Sequence, residues 1–147
     1  MVANGGKYYL ICNYDKYDNL SHYRIDRISN IEILDTPRKP KKQVEGLVGL
    51  DVAKYMQEHI FMFGGKSIRA KFEMPKYLIS DVLDSFGANV NFADIGDGNV
   101  LTSVKVNEND IRYWARLYAS QIKITEPKEL VDMCKQDMIN ALKLYED

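Results

Sequence analysis

Cysteine is scarce in this 147-residue sequence: Cys12 and Cys134 lie far apart, with no Cys-x-x-Cys pair and no histidine-rich segment beside either. Such spacing excludes a disulfide framework and a structural zinc site, so no metal is expected, and it points to a reducing, cytoplasmic setting. No apolar run approaches the ~18 residues of a membrane span, and no membrane contact is expected. Met1 to Gly6 lacks the charged and apolar regions of a secretion signal. Histidine is equally rare. His22 and His59 fall in different predicted units, neither stands in a metal-ligand pattern, and no Ser or Cys sits in a nucleophile elbow, so the chain is not expected to be an enzyme or to hold a cofactor.

Charge of a single sign is missing too. Twenty Lys and Arg face 21 Asp and Glu, a formal net charge of −1, which supplies no overall pull toward nucleic acid or an anionic membrane. The halves differ modestly: residues 1–70 carry 11 basic and 8 acidic side chains, and residues 71–147 carry 9 and 13. Any polyanion contact therefore belongs in the first half. With 46% hydrophobic and 28% charged residues, the chain suits one globular domain or two small ones.

Alternation dominates the beginning. Lys7 to Tyr14 reads as a strand with Tyr8, Leu10, Cys12 and Tyr14 on one face, taken as the core face, which leaves Tyr9 on the other. Asp15-Lys16-Tyr17-Asp18-Asn19 supplies turn chemistry, and Leu20 to Ile28 resumes the alternation as a second strand. Ser29-Asn30 interrupts it before Ile31-Glu32-Ile33-Leu34, a predicted third strand. The basic, proline-flanked segment Pro37-Arg38-Lys39-Pro40-Lys41-Lys42 can neither pair nor pack, and it sets a boundary.

Beyond it, Asp51 caps a short helix to about Glu58. From Ser67 to Thr125 the order is βαββαβ. Ile68, Ala70, Phe72 and Met74 alternate in the first strand, and Leu78, Ile79, Val82, Leu83 and Phe86 recur at helical spacing before Gly87. Strands Val90–Ile95 and Val100–Val106 join across Gly96-Asp97-Gly98-Asn99. Ile111, Trp114, Ala115 and Tyr118 mark a second helix, and Ile122 and Ile124 the last strand. This is the pattern of a ferredoxin-like sandwich. A final helix after Pro127 carries a stripe of Val131, Cys134, Met138, Leu142 and Tyr145.

Lys7-Tyr8-Tyr9-Leu10, followed after one turn by Tyr23-Arg24-Ile25-Asp26-Arg27-Ile28, resembles the signature of WYL domains, with Tyr8 in the place of the usual Trp. The Ile-Glu-Ile-Leu-Asp stretch, basic-proline linker and βαββαβ unit that follow are similar to the C-terminal extension of such regulators. The resemblance implies an α+β protein in three parts: residues 1–36 as the C-terminal strands of a WYL domain, 37–49 as linker and 50–147 as the ferredoxin-like extension. The first part would be a partial Sm-like β-barrel, a three-stranded antiparallel sheet, because two further strands precede the aromatic motif in the family. It also implies the effector-sensing and dimerisation region of a bacterial transcription regulator. The partners it implies are a nucleotide, single-stranded nucleic acid or other anionic effector, and a second copy in a homodimer. DNA would be met only through an N-terminal helix-turn-helix, which this sequence does not contain.

The residues expected to bind the ligand are Tyr9, His22, Arg24 and Arg27. A guanidinium presents a planar fork that pairs with phosphate and stays charged at all working pH values. On a regular strand Arg24 shares a face with His22 and Asp26 while Arg27 falls on the other, so Arg24 is favoured for the ligand. The bland alternative pairs both arginines with Asp26 or Glu32 at the surface. Tyr9 is placed to stack on a base or to bond a phosphate, and His22 to tune the site with pH. Phe63-Gly64-Gly65-Lys66-Ser67 imitates a phosphate loop, but the required earlier glycine is Ile60, and the context runs from helix to strand. An interaction module without a small ligand, completed by strand pairing with a partner chain, is the alternative function.

Overall fold

A computed structural model describes residues 1–16 and 20–146. The chain is α+β, with two antiparallel sheets of three and four strands. The first is built from β1 (Val2–Asn4), β2 (Lys7–Asn13) and β3 (Leu20–Arg24), in that order across the sheet. The third strand is thus not Ile31–Leu34. Gly5 and Gly6, at φ of 53° and 72°, make a two-residue turn with both centres in the left-handed region, which lets Val2–Asn4 fold back on Lys7–Tyr9. Residues 31–34 are irregular instead, leaving Ile33 99% exposed, and Asn30 at φ 53° turns the chain just before them. Part of the expected turn, Tyr17-Asp18-Asn19, lies outside the described residues. Among the described residues no further strand closes this sheet into a barrel.

The faces of the first sheet are also reversed from expectation. Tyr8 and Leu10 are solvent-exposed, whereas Leu20, opposite Asn13 on the other face, is only 6% exposed. The 37–49 linker reaches this packing only beyond its basic, proline-flanked stretch, which stays exposed: Val44 is 7% exposed, and Gly46 lies near the Leu20 side chain. A single 3-10 turn at Lys41–Gln43 precedes it.

The second sheet holds β4 (Ser67–Pro75), β5 (Val90–Gly96), β6 (Asn99–Asn107) and β7 (Lys123–Glu126) in the order β5-β6-β4-β7. With α2 (Ile79–Phe86) and α3 (Glu108–Leu117) as the crossovers, this is the ferredoxin-like arrangement. Ala70, Phe72, Met74, Val100, Val104 and Val106 point from the central strands into the core. Trp114 fills its middle at 1% exposure, with ring centroids 5.3 Å from Phe72, 5.0 Å from Phe86 and 4.5 Å from Tyr118. Its indole N–H donates to Ser85 Oγ at 3.0 Å, so the one polar atom of the largest core side chain is satisfied.

Two more helices attach to this frame. In α1 (Val52–Glu58) the Asp51 carboxylate accepts from the Lys54 N–H at 3.1 Å, the expected cap. The last helix, α4 (Lys128–Lys143), is clamped to α3 by Arg112, which donates from Nε and Nη2 to the two Asp137 oxygens at 2.7 and 2.6 Å. The α4 stripe buries Cys134, but Met138, Leu142 and Tyr145 remain exposed. No helix among the described residues is long and apolar enough to cross a membrane.

One core position carries an internal conflict. Thr102, opposite both Phe72 and Phe92, is fully buried, and its hydroxyl has no hydrogen-bond partner among the described residues. A buried unsatisfied hydroxyl costs about 1–3 kcal/mol, and replacing it with an apolar group of the same shape removes that cost. Thr102→Val is therefore expected to raise the unfolding free energy by about 1 kcal/mol and the melting temperature by a few degrees. A lowered melting temperature in a thermal scan would mean that the hydroxyl is satisfied and the conflict is not real.

Candidate functional site

The first sheet and the sandwich meet around the segment that follows α1. Residues 59–64 belong to no helix or strand, yet Met62 is 5% exposed and His59 3%. Irregular backbone in such a place must find partners for its polar groups. Side chains from both units supply them. From the first sheet, Asn4 Nδ2 donates to the carbonyls of His59 and Ile60 at 3.3 and 3.0 Å, and His22 Nδ1 bonds the Met62 carbonyl at 2.9 Å. From α3, the Asp110 carboxylate accepts from the N–H groups of Phe61 and Phe63 at 3.0 and 3.1 Å, and Asn109 donates to the Gly64 carbonyl at 2.7 Å. Met62 itself sits at φ 61°, a left-handed conformation held against its own preference by these bonds.

These bonds assign the protons. A carbonyl only accepts, so His22 carries its hydrogen on Nδ1, and Nε2 accepts from the Tyr55 hydroxyl at 2.6 Å. His59 likewise donates from Nδ1 to the Tyr55 carbonyl at 2.8 Å, and its ring stacks on Tyr55 with centroids 3.9 Å apart. Burial lowers the pKa of His22; the bond to Met62 opposes that, and nearby His59 reinforces it. His59 is lowered by the same burial, against the bond to Tyr55 and the charge of Glu58. Tyr55 is pushed up to about 12 by burial and then by Asp110. Asp110 is raised to about 6, burial outweighing the two N–H donors.

Between this segment and the first sheet opens a cleft of about 780 Å³. Tyr9 stands directly opposite Arg24 in the β2–β3 register, and Ile11 opposite His22, so all four project on one face. Beyond Arg24 the strand gives way to a 3-10 turn at Ile25–Arg27. That turn breaks the alternation expected to put Arg27 on the opposite side, and Arg24 and Arg27 line the same cleft. All four residues expected from the sequence are thus brought together. Their availability differs, however. Both ring nitrogens of His22 are engaged internally, so His22 holds the sheet against α1 and is not a free, pH-tuning contact. Arg24 is gripped by Asp26, Nε to Oδ1 at 3.0 Å and Nη2 to Oδ2 at 2.5 Å. This bond raises the arginine and lowers the carboxyl. The bland pairing with Asp26 is therefore present for Arg24. Arg27 forms no salt bridge among the described residues.

Sequence reasoning misses the rest of the lining. Lys7 enters from the start of β2, and Phe61, Phe63 and Tyr113 form the far wall, with Tyr113 4.9 and 5.6 Å from the two phenylalanines. Arg116 covers the Tyr113 ring at 5.3 Å. Lys7 is legible from its two-residue offset to Tyr9. Phe61-Met62-Phe63, an apolar triplet outside any periodic element, is the available signal for the wall. Among the described residues no group of three or more His, Cys, Asp or Glu side chains is placed to hold a metal. No protein-family model matches the chain, and no curated protein is significantly similar to it.

The seam has two opposed acid responses. Both histidines lie below the ordinary 6.5, so the unfolded chain binds protons that the folded chain refuses. Their contribution to stability is complete above about pH 6.5 and is lost as pH falls toward their folded values. Asp110, raised from 3.8 to about 6, has the opposite sign: its contribution is complete below its unfolded value and is lost as pH rises through about 6. The melting temperature is expected to fall as pH drops below about 6.5 and to flatten from about 6 to 5, where Asp110 takes up its proton. In Asp110→Asn, which also loses an acceptor for Phe61 or Phe63, the fall should continue through that window. Parallel curves for the two proteins would remove Asp110 from this role.

Proposed function

We propose that the chain senses a nucleotide-type anionic ligand in the cleft between the first sheet and residues 60–63. One observation carries this reading: Lys7, Arg24 and Arg27 line the cleft together with the aromatic side chains of Tyr9, Phe61, Phe63 and Tyr113, and no carboxylate among the described residues lines it. Cations suit phosphate oxygens and aromatic faces suit a base, and a chamber that holds both, with Asp26 at its edge paired to Arg24, favours a ligand that combines them. Lys7 and Arg27, which form no salt bridge among the described residues, are the first phosphate contacts; Arg24 joins when the ligand displaces Asp26. Tyr9, Phe63 and Tyr113 supply stacking surfaces. The resemblance of the aromatic and arginine motifs to WYL domains supports the same ligand class, and with it a place in a dimeric transcription regulator. Because the cleft lies at the seam, a ligand gripping both walls would favour one relative position of sheet and sandwich.

A second reading is favoured by a different feature. Ile31 and Leu34 are 78% and 69% exposed beside the fully open Ile33, and none of the main-chain groups from Ser29 to Lys39 is bonded to another main-chain group among the described residues. A short, β-prone apolar segment and free sheet edges in one chain suit strand addition between two copies.

The two readings separate experimentally. Titrating AMP, a cyclic dinucleotide and a short oligothymidylate by calorimetry should give binding that Arg24→Ala or Arg27→Ala weakens about tenfold or more. Asp26→Asn should tighten it several-fold by releasing Arg24. Unchanged affinity in both arginine variants, or no binding of any of the three, would discard the sensing function. For strand addition, sedimentation velocity should find a dimer that Ile33→Glu converts to a folded monomer; a monomeric wild type would reject it.

A further inference from the structure

A second concave surface lies on the outer face of the four-stranded sheet, where α1 leans over one end of β4, β5 and β6. It encloses about 430 Å³ and shares no lining residue with the cleft. Arg69 of β4 stands directly opposite Lys105 of β6 in the strand register, so the two project from the same face of adjacent strands. Like charges in directly opposed positions destabilise a sheet, and the register gives their Cβ atoms no means of separating. Lys54 of α1 brings a third cation to the same groove. One carboxylate lies among them: Glu58, whose side chain is 12% exposed and already bonds Lys105 at 2.9 Å. Arg69 and Lys54 have no ion-pair partner among the described residues.

Three cations, two of them unanswered, thus converge on a groove with one committed acid. Three amide side chains border the groove as well. Asn89 donates to Gln57 at 2.8 Å, which fixes part of the rim, while the Asn91 amide on β5 has no side-chain hydrogen bond among the described residues. Charges gathered against a sheet surface are favoured when an anion sits between them, and a planar guanidinium beside an ammonium and an amide matches the several oxygens of a phosphate.

We propose that this groove, walled by Lys54, Arg69, Asn91 and Lys105, is a second anion site that binds a phosphate or phosphomonoester. It stands independently of the sensing cleft. A dianion there neutralises the Arg69–Lys105 repulsion and ties α1 to the sheet, with Glu58 holding Lys105 from the other side.

The test compares inorganic phosphate with chloride at matched ionic strength, using wild type, Arg69→Gln, Lys54→Gln and, as a cleft control, Arg24→Gln. Phosphate is expected to raise the melting temperature of wild type and of Arg24→Gln above the chloride value. Calorimetry should show at least a tenfold loss of phosphate affinity in Arg69→Gln. Without phosphate, Arg69→Gln should melt no lower than wild type, because it removes a repulsion, and this separates lost binding from lost folding. Glycerol 3-phosphate in the same assay distinguishes the sources: tighter binding than inorganic phosphate assigns an organic phosphomonoester, and weaker binding assigns the free ion. Equal responses to phosphate and chloride, or a phosphate response kept by Arg69→Gln and lost in Arg24→Gln, would overturn the proposal.

Discussion

A six-residue stretch without regular structure, His59 to Gly64, decides how the two sheets stand to each other. Its main-chain groups are bonded by Asn4 and His22 from one side and by Asn109 and Asp110 from the other. Neither set suffices alone. If Asp110 released Phe61 and Phe63, two N–H groups would lose their acceptors at a half-buried seam, a cost of about 1–3 kcal/mol each. The left-handed Met62 would then lose what holds it. Since Phe61, Met62 and Phe63 are also a wall of the cleft, the shape of the cleft follows from the same bonds.

The join is unusual in being polar. Within the sandwich, Trp114, Phe72 and Val106 hold by burial of apolar surface, which is forgiving of small displacements because it has no direction. Around residues 59–64 the contacts are directional, and they involve four titratable groups, His22, Tyr55, His59 and Asp110, each shifted toward its neutral form by burial. Directional bonds specify one arrangement and lose it abruptly. The seam is therefore more sensitive to protons than the core, while the helices and strands on either side keep their own stability.

The sandwich is legible in the sequence because its signals are local and repeated. Alternation in Ile68–Met74, the glycine turn at 96–98 and helical spacing through Trp114 each match an observed element, and topology follows from their order. The first sheet is less legible for reasons that can be named. Its third strand depends on Gly5-Gly6 reversing a chain of only three residues, too short for periodicity to register. Tyr8 and Leu10 look like a core face, but which face is buried depends on what lies beneath the sheet, and there Met62 bonds His22 and Gly46 sits near Leu20, both from distant segments. For the site, Tyr9, Arg24 and Arg27 are found by chemistry, whereas the parity argument that separates the arginines fails at one 3-10 turn. Phe61, Phe63 and Tyr113 cannot be grouped with them from sequence, since tertiary contacts, the bonds of Asp110 and Asn109 among them, bring the two parts of the chain together.

Those bonds also bear on how an occupied cleft would differ from an empty one. Arg24 and Asp26 are two residues apart and form a two-point pair that needs nothing else from the fold. Any anion that recruits Arg24 must compete with a carboxylate tethered at high effective concentration, which sets a threshold that a singly charged ligand is poorly equipped to cross. A phosphate already engaged by Lys7 and Arg27 meets the same competition from a bound position, so the third cation is won only after the first two. The order matters for coupling. Lys7 and Arg24 belong to the first sheet and the aromatic wall to residues 61–63 and α3, so a ligand reaching Arg24 and the wall together would close on both sides of the seam. On the proposed function, the Arg24–Asp26 pair is then the element that separates ligands that merely enter from those that change how the two sheets are held.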